Sequence, residues 1–350
     1  MRTNAILSML FVIVLGAVLI GEVYVYTFNT GGYSSDVSLS GNEIDYGVTS
    51  HISTTYSIII TDNGNFSPNT SYYIYYDESY ASKVNAVEIP VGAKALTEDY
   101  YISQLVHMLD YRGITNIEIL NARELEERLS ADTEAGTCAK GLIVLSGALP
   151  DTVYTGQNSD IIFSWLNDGG RLYWAGNLLG RYVSTPDGIT DLGEKNNEYQ
   201  VGFFGTECLN TGETTTAYSD VTDNEYRFTL SMMNNNVKYG VDTSALPLSL
   251  HVGYTEGGYY STVLTAFGTN GGMICVLGGD YSSYQRHDLA QVISSGLSPS
   301  SVMIGHATGD LKRTTLHGTI EIGTHDRNVM AYVYYGGYFP TYGRLTELNP

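Results

Sequence analysis

The stretch from Gly141 to Gly180, GLIVLSGALPDTVYTGQNSDIIFSWLNDGGRLYWAGNLLG, constrains the fold of this chain most. Gly141 to Leu145 is a short, unbroken apolar run that stops at Ser146-Gly147, the pattern of a strand covered on both faces. Ser159-Asp160 supplies a helix N-cap, Ile161, Ile162, Trp165 and Leu166 recur at helical spacing, and Asp168-Gly169-Gly170 ends the helix. A second strand, Arg171 to Ala175, follows at once. Strand, crossover helix and strand predict parallel neighbours joined by a right-handed crossover, in a sheet whose clefts lie at the carboxyl ends of its strands.

At 350 residues the chain suits two domains, on a prior of roughly 100 to 200 residues each. Its formal charge of -20 comes from 37 Asp and Glu against 17 Lys and Arg. Without clustered bases there is no phosphate-neutralising surface, which excludes nucleic acid as a partner. Abundant Tyr, Gly, Asn, Ser and Thr carry polarity without charge, as in extracellular and envelope proteins. The cysteines Cys138, Cys208 and Cys275 lack metal-ligand spacing, and no motif calls for a cofactor. Cys275 reads as a buried thiol on a strand, while a bridge between Cys138 and Cys208 stays open.

Residues 1–28 begin with Arg2 and run apolar from Ala5 to Ile20 before Glu22. That length is near the lower edge of the roughly 17 to 25 residues a membrane span needs. The expectation is a transmembrane anchor through residues 5–26 with the bulk outside the cell membrane, or secretion if the segment is a cleaved signal. Residues 29–81 read as short strands without helices: a tether or irregular strands to Ser50, a β-branched run from His51 to Thr61 closed by Asp62-Asn63-Gly64-Asn65, and a strand from Ser71 to Tyr76. Residues 82–296 alternate helix and strand. Leu96 to Tyr111 and Ala122 to Leu129 read as helices, Val201 to Phe204 as a strand and Glu207 to Asp223 as irregular. Tyr260 to Phe267 and Gly272 to Leu277 form a hairpin, and His287 to Ser295 a last helix. Residues 297–350 return to strands. The expected fold class is α/β and β: an N-terminal membrane helix, then an open, mostly parallel α/β sheet domain inserted into a β-sandwich-like domain built from the N- and C-terminal segments.

A helix, then strand-helix-strand with Asp168-Gly169-Gly170 before the second strand, then a Gly-rich hairpin leading into Gly278-Gly279-Asp280 and a helix, resembles a class I glutamine amidotransferase-like domain. The resemblance covers roughly residues 82–296. Working members carry a cysteine nucleophile in a sharp turn after the Gly-Gly strand, and a later strand supplies His and Glu. Here that turn reads Ala175-Gly176-Asn177, with Gly176 at the nucleophile's place, and Gly278-Gly279-Asp280 stands where His-x-Glu would be. Acyl transfer through a thiolate needs both nucleophile and base, so the resemblance implies the fold without the activity.

Several residues are candidates beside that reading. Ser146 ends its strand as a separate candidate nucleophile. Asp280 and His287 fall where an α/β cleft would form, and Cys208 occupies a polar loop; these three define an alternative, an exported hydrolase with a cleft site. The tyrosine clusters Tyr72, Tyr73, Tyr75, Tyr76 and Tyr332, Tyr334, Tyr335, Tyr338 offer amphipathic contact area for an envelope protein or a glycan, or are ordinary strand composition. Asn65 and Asn69 head N-glycosylation sequons. The leading expectation is a non-catalytic, membrane-anchored envelope protein with a structural or binding role. Self-association into a surface filament or lattice is a third reading.

Overall fold

The computed structural model describes residues 32–64, 66–80, 98–175, 178–193, 198–206, 208–215, 237–253, 260, 262–277, 283–323, 328–336 and 342–348. The chain opens with β1 (Tyr33–Ser40), β2 (Glu43–Ser50), β3 (Ser53–Asp62) and β4 (Tyr72–Tyr75). The helical part follows: α1 (Glu98–Tyr111), β5 (Ile117–Leu120), α2 (Ala122–Ala135), β6 (Gly141–Val144), β7 (Leu149–Pro150), α3 (Ile161–Asn167) and β8 (Arg171–Trp174). Next come β9 (Tyr182–Thr185), β10 (Gly188–Asp191), α4 (Glu198–Phe204), β11 (Leu209–Thr215), β12 (Val237–Val241) and β13 (Ser249–Gly253). The remainder is β14 (Thr262–Phe267), β15 (Gly272–Leu277), α5 (Ser283–Ser295), β16 (Val302–Lys312), β17 (Thr315–Glu321), β18 (Val329–Tyr335) and β19 (Tyr342–Glu347).

Seven strands form one sheet in the order β13-β14-β15-β8-β6-β4-β5. From β15 to β5 every pairing is parallel, and β14 and β13 add an antiparallel edge. Side chains alternate between two cores. Tyr73, Tyr75, Leu142, Val144 and Trp174 face α2, α3 and α4, while Tyr72, Ile74, Ile143 and Tyr173 face α1 and α5. Each large side chain so buried stabilises the fold by about 1.5 to 3 kcal/mol. The Gly169-Gly170 pair has two separate causes: Gly169 adopts φ 107, and a Cβ on Gly170 would lie 2.2 Å from the Trp165 ring. Asn121 caps α2 through a capping box with Glu124, which fixes the turn out of β5.

The strands at the two ends of the chain build a sandwich. One sheet is β1-β2-β17 and the other β16-β3-β18-β19, and they enclose Ile44, Val48, Ile58, Ile60, Val333 and Tyr335. The outer face of the second sheet, carrying Ile59, Tyr332 and Tyr334, turns toward the helical layer, where α5 packs on β19. Asn63, fully buried, fastens this junction: its Nδ2 donates to Gly296 O at 3.0 Å, and Ser301 Oγ donates to its Oδ1 at 2.6 Å.

Several expectations are corrected. The described residues are mostly β, with 45% of them in strands and 20% in helices, rather than the α/β chain expected. Abundant Tyr, Val, Ile and Thr fit pleated surfaces and bias the chain toward strands. Residues 1–28 lie outside the described residues, and among the described residues no helix is long and apolar enough to cross a membrane. The anchor, the cell-membrane location and the membrane as partner through residues 5–26 are therefore not carried further. The segment read as a tether or irregular strands forms a regular hairpin over β1 and β2, with Val37, Leu39, Ile44 and Val48 turned inward. Val201 to Phe204 belongs to helix α4, because Gln200, Phe203 and Phe204 are buried at i, i+3, i+4 spacing. Leu209 to Thr215 is a strand paired with β12. Ser71 to Tyr76, grouped above with the N-terminal strands, supplies β4, which lies between β6 and β5 in the seven-stranded sheet.

Candidate functional site

Chemistry in a parallel sheet is expected at the carboxyl ends of its strands. After β6, Ser146 is buried and its Oγ donates to Ala148 O at 3.2 Å, so the hydroxyl closes its own turn. After β4, Asp77 accepts from Ser79 N, Ser79 Oγ and Ala122 N at 2.6 to 3.0 Å. Burial would raise this carboxyl, but those hydrogen bonds hold it below its ordinary value. Tyr80 donates to Asp151 Oδ1 at 3.1 Å, and burial together with the charges of Asp151 and Asp77 pushes its phenol up to about 12. Each of these groups fastens a loop to a neighbour, and none pairs a nucleophile with a base.

The remaining candidates do not assemble there either. Gly176 and Asp280 lie outside the described residues, as do Tyr338 and Asn65. His287 is on helix α5, whose backbone is described there without its side chain. Cys208 is buried among the aromatic side chains of the α2-α3-α4 core, and burial, with Asp242 adding, pushes its thiol up to about 12. All three cysteines are free and buried, so the open bridge between Cys138 and Cys208 is absent. A protonated, enclosed thiol is no nucleophile.

Most described members of the tyrosine clusters lie in the interior. Tyr72, Tyr73 and Tyr75 are core residues of the seven-stranded sheet, and Tyr332, Tyr334 and Tyr335 are buried on β18. Tyr76 is half-buried against the α1-α5 core. Continuous aromatic runs here mark strands covered on both faces. Asn69 is exposed on the turn before β4.

At the opposite, amino edge of the parallel strands, two polar clusters stand out. In one, Tyr73 Oη donates to Asp132 Oδ2 at 3.0 Å, and Lys140 Nζ donates to both Asp132 Oδ1 and Tyr73 Oη. Burial alone would lower the Lys140 pKa, yet its hydrogen bonds to Asp132 and Tyr73 raise it. This triad ties α2 to β4.

The second cluster lies at the floor of a cleft of about 390 Å³, formed where the amino edge meets β19. Phe66, Tyr72, Ile293, Tyr342 and Leu345 give it apolar walls, and Arg112, Ser294, Asp110 and Arg344 are its polar lining. Arg112, at the end of α1, is 7% exposed; its Nε donates to Gln291 Oε1 at 3.4 Å and its Nη1 to Met108 O at 2.9 Å. Ser294 Oγ and Tyr332 Oη share a hydrogen bond of 3.0 Å. Burial raises the Tyr332 phenol, opposed by the Arg112 charge. Sequence reasoning missed this site because its residues come from five separate segments. A shallow trough of about 560 Å³ across β1, β2 and β17 carries Asp36, Asp45, His317 and Thr319. Among the described residues no set of three or more His, Cys, Asp or Glu is placed to hold a metal ion.

No protein-family model matches this chain, and no curated protein matches it. Among solved structures, the exo-beta-1,4-mannosidase Op5Man5 from Opitutaceae bacterium strain TAV5 is similar to it over 67% of this chain and 36% of that one, with 13% identity and a TM-score of 0.34. A likeness of that degree carries no argument about this chain's fold or activity.

Proposed function

We propose that this chain is a non-catalytic binding protein in which an amidotransferase-like sheet serves as a support. One observation carries the reading: the side chains closest to a nucleophile's role are committed elsewhere, Ser146 to the backbone of its own turn and Cys208 to a core that keeps it protonated. The glycine at position 176, where the resemblance puts the nucleophile, agrees with it. A support of this kind needs only its shape, and the cleft between the sheet's amino edge and the sandwich gives it a place to bind.

The test is a pair of measurements on the purified chain. Incubated with glutamine or with an activated aryl ester, the protein is expected to release neither ammonia nor phenol above background. A colorimetric thiol reagent is expected to leave all three cysteines untouched until denaturant is added. Turnover above background, especially turnover that Cys208→Ala or Ser146→Ala removes, would refute the reading.

A further inference from the structure

We propose that β1 is an acceptor edge: an extended segment of another polypeptide adds beside it as a fourth strand, with apolar and acidic side chains on its inner face and a basic one on its outer face. The proposal goes beyond the binding reading above, which concerns the cleft. β1 is an eight-residue strand at the border of its sheet, in unbroken register with β2. His51 N donates to Gly32 O at 2.9 Å, and this pair fixes the alternation that follows it. Even-numbered residues of β1 turn their backbone groups to β2. Those of Ser35, Val37 and Leu39 turn outward, where no described strand meets them. Lysine, proline and bulges, the usual devices that keep an edge from pairing, are absent from β1.

The opposite sheet is one strand wider. β17 lies beside β16, β2 over β3 and β1 over β18, so no described strand of the smaller sheet covers β19. The rings of Tyr33 and Tyr342 stack at 5.9 Å where β1 and β19 begin. Two residues further along each strand, Ser35 and Arg344 share a level, followed by Val37 with Thr346 and Leu39 with Leu348. Arg344 and Thr346 stand opposite the core residues Val333 and Ala331, so both face the open place beside β1. A second copy of this chain fits poorly, because pairing β1 with its counterpart would set the copy's own β18 where β19 already lies. A single extended segment fits, joined by its backbone and selected by alternate side chains. Its inner side chains would rest on Thr346 and Leu348, both half-buried, and meet Arg344, which is exposed and makes no ion pair among the described residues. Its outer ones would flank Asp36, the one charged residue of β1, so the chemistry calls for an acid inside and a base outside.

The test uses the full chain and a capped heptapeptide, Thr-Val-Thr-Val-Lys-Glu-Thr, whose antiparallel pairing from Ser40 back to Ser34 puts its Lys beside Asp36 and its Glu over Arg344. Calorimetric titration is expected to show saturable binding. A version with Lys and Glu exchanged should bind about tenfold more weakly, since both charge pairs turn from favourable to repulsive. Replacing the second Val, which faces Val37, by Pro should abolish binding, because the added strand loses a ladder N–H. Hydrogen exchange at the Val37 and Leu39 amides should be fast in the free chain and slow with the peptide bound. Asp36→Lys, on the exposed face of β1, should unfold at the wild-type temperature and narrow the gap between the two charged peptides to about twofold or less. No saturable binding at millimolar concentrations, equal affinity for the two charged peptides, binding that survives Pro, or an unchanged gap in Asp36→Lys would each overturn the proposal. So would slow exchange at Val37 and Leu39 in the free chain, which would mean that the edge is already covered by the chain itself or by a second copy.

Discussion

Raising the pH should unfold this protein abruptly, and its buried phenols and thiols set where. Tyr72 is 3% exposed, and burial, only partly opposed by the Arg171 charge, pushes its phenol from 10.0 to about 12. Cys208 is 5% exposed, and burial pushes its thiol from 9.0 to about 12. Both groups hold their protons more tightly folded than unfolded. Their stabilisation is therefore complete below the unfolded values, near pH 9 to 10, and is lost as pH rises through the folded ones. A difference of one pH unit in pKa corresponds to about 1.4 kcal/mol, giving about 3 kcal/mol for Tyr72 and about 4 for Cys208. Their sum of about 7 kcal/mol is comparable to the whole net stability of an ordinary domain, about 5 to 15 kcal/mol. The shifts of Tyr173, Tyr332 and Tyr335 run the same way and add to it. The assay follows tyrosinate absorbance and far-ultraviolet circular dichroism together through an alkaline titration. Exposed tyrosines should ionise first near pH 10 without loss of structure. The buried ones should follow in one sharp step that coincides with loss of the dichroism, and the guanidinium midpoint should fall across the same interval. If all 30 tyrosines ionised in a single smooth titration with the dichroism intact, the placement of these side chains in the core would be wrong.

Two substitutions test the polar fastenings. Asn63→Ala removes the acceptor of Ser301 and the donor to Gly296 at a fully buried position, and should lower unfolding free energy by about 2 to 4 kcal/mol, read from chemical denaturation. Unchanged stability would mean that the junction between β3 and α5 is held by apolar contact alone. Asp132→Ala should cost about 2 to 3 kcal/mol, toward the low end for a broken buried pair, because Lys140 keeps 27% of its side chain exposed and can rehydrate. The same variant should bring the Lys140 pKa down, measurable by nuclear magnetic resonance of its Nζ. An unmoved pKa would refute the hydrogen bond from Lys140 to Asp132 as its cause.

Some of this molecule can be read directly from its residues, and physics says which part. The run from Gly141 to Trp174 is legible because a strand buried on both faces must be continuously apolar, and the helix between the strands repeats on its own period. The hairpin of β14 and β15 is legible for the same reason, with glycines marking its turn. The first hairpin was harder. Its inward residues alternate with Ser, Asp and Gly, a weak contrast that resembles a polar tether until Ile44 and Val48 are seen under the opposing sheet. The tyrosines misled in the other direction: Tyr72-Tyr73-Ile74-Tyr75 has no polar alternation, which is itself the mark of two-sided burial, although the polar hydroxyl suggests a surface. The cleft could not be read at all. Phe66, Arg112, Ser294 and Arg344 share no motif and meet only because α1, α5 and β19 converge.

The middle position of β3 has a consequence for how the protein is made. Both of its neighbours arrive late: Ser57 on β3 bonds to Thr308 on β16, 251 positions further along, and β18 closes the other side. During synthesis this Ile-rich segment waits with both flanks open until β16 and β18 have left the ribosome. Such long-range closure is slow and exposes the nascent chain to wrong partners. A product stopped before β16 would leave that segment unsheathed for good, so such truncated chains should aggregate through β3, far from where they were cut.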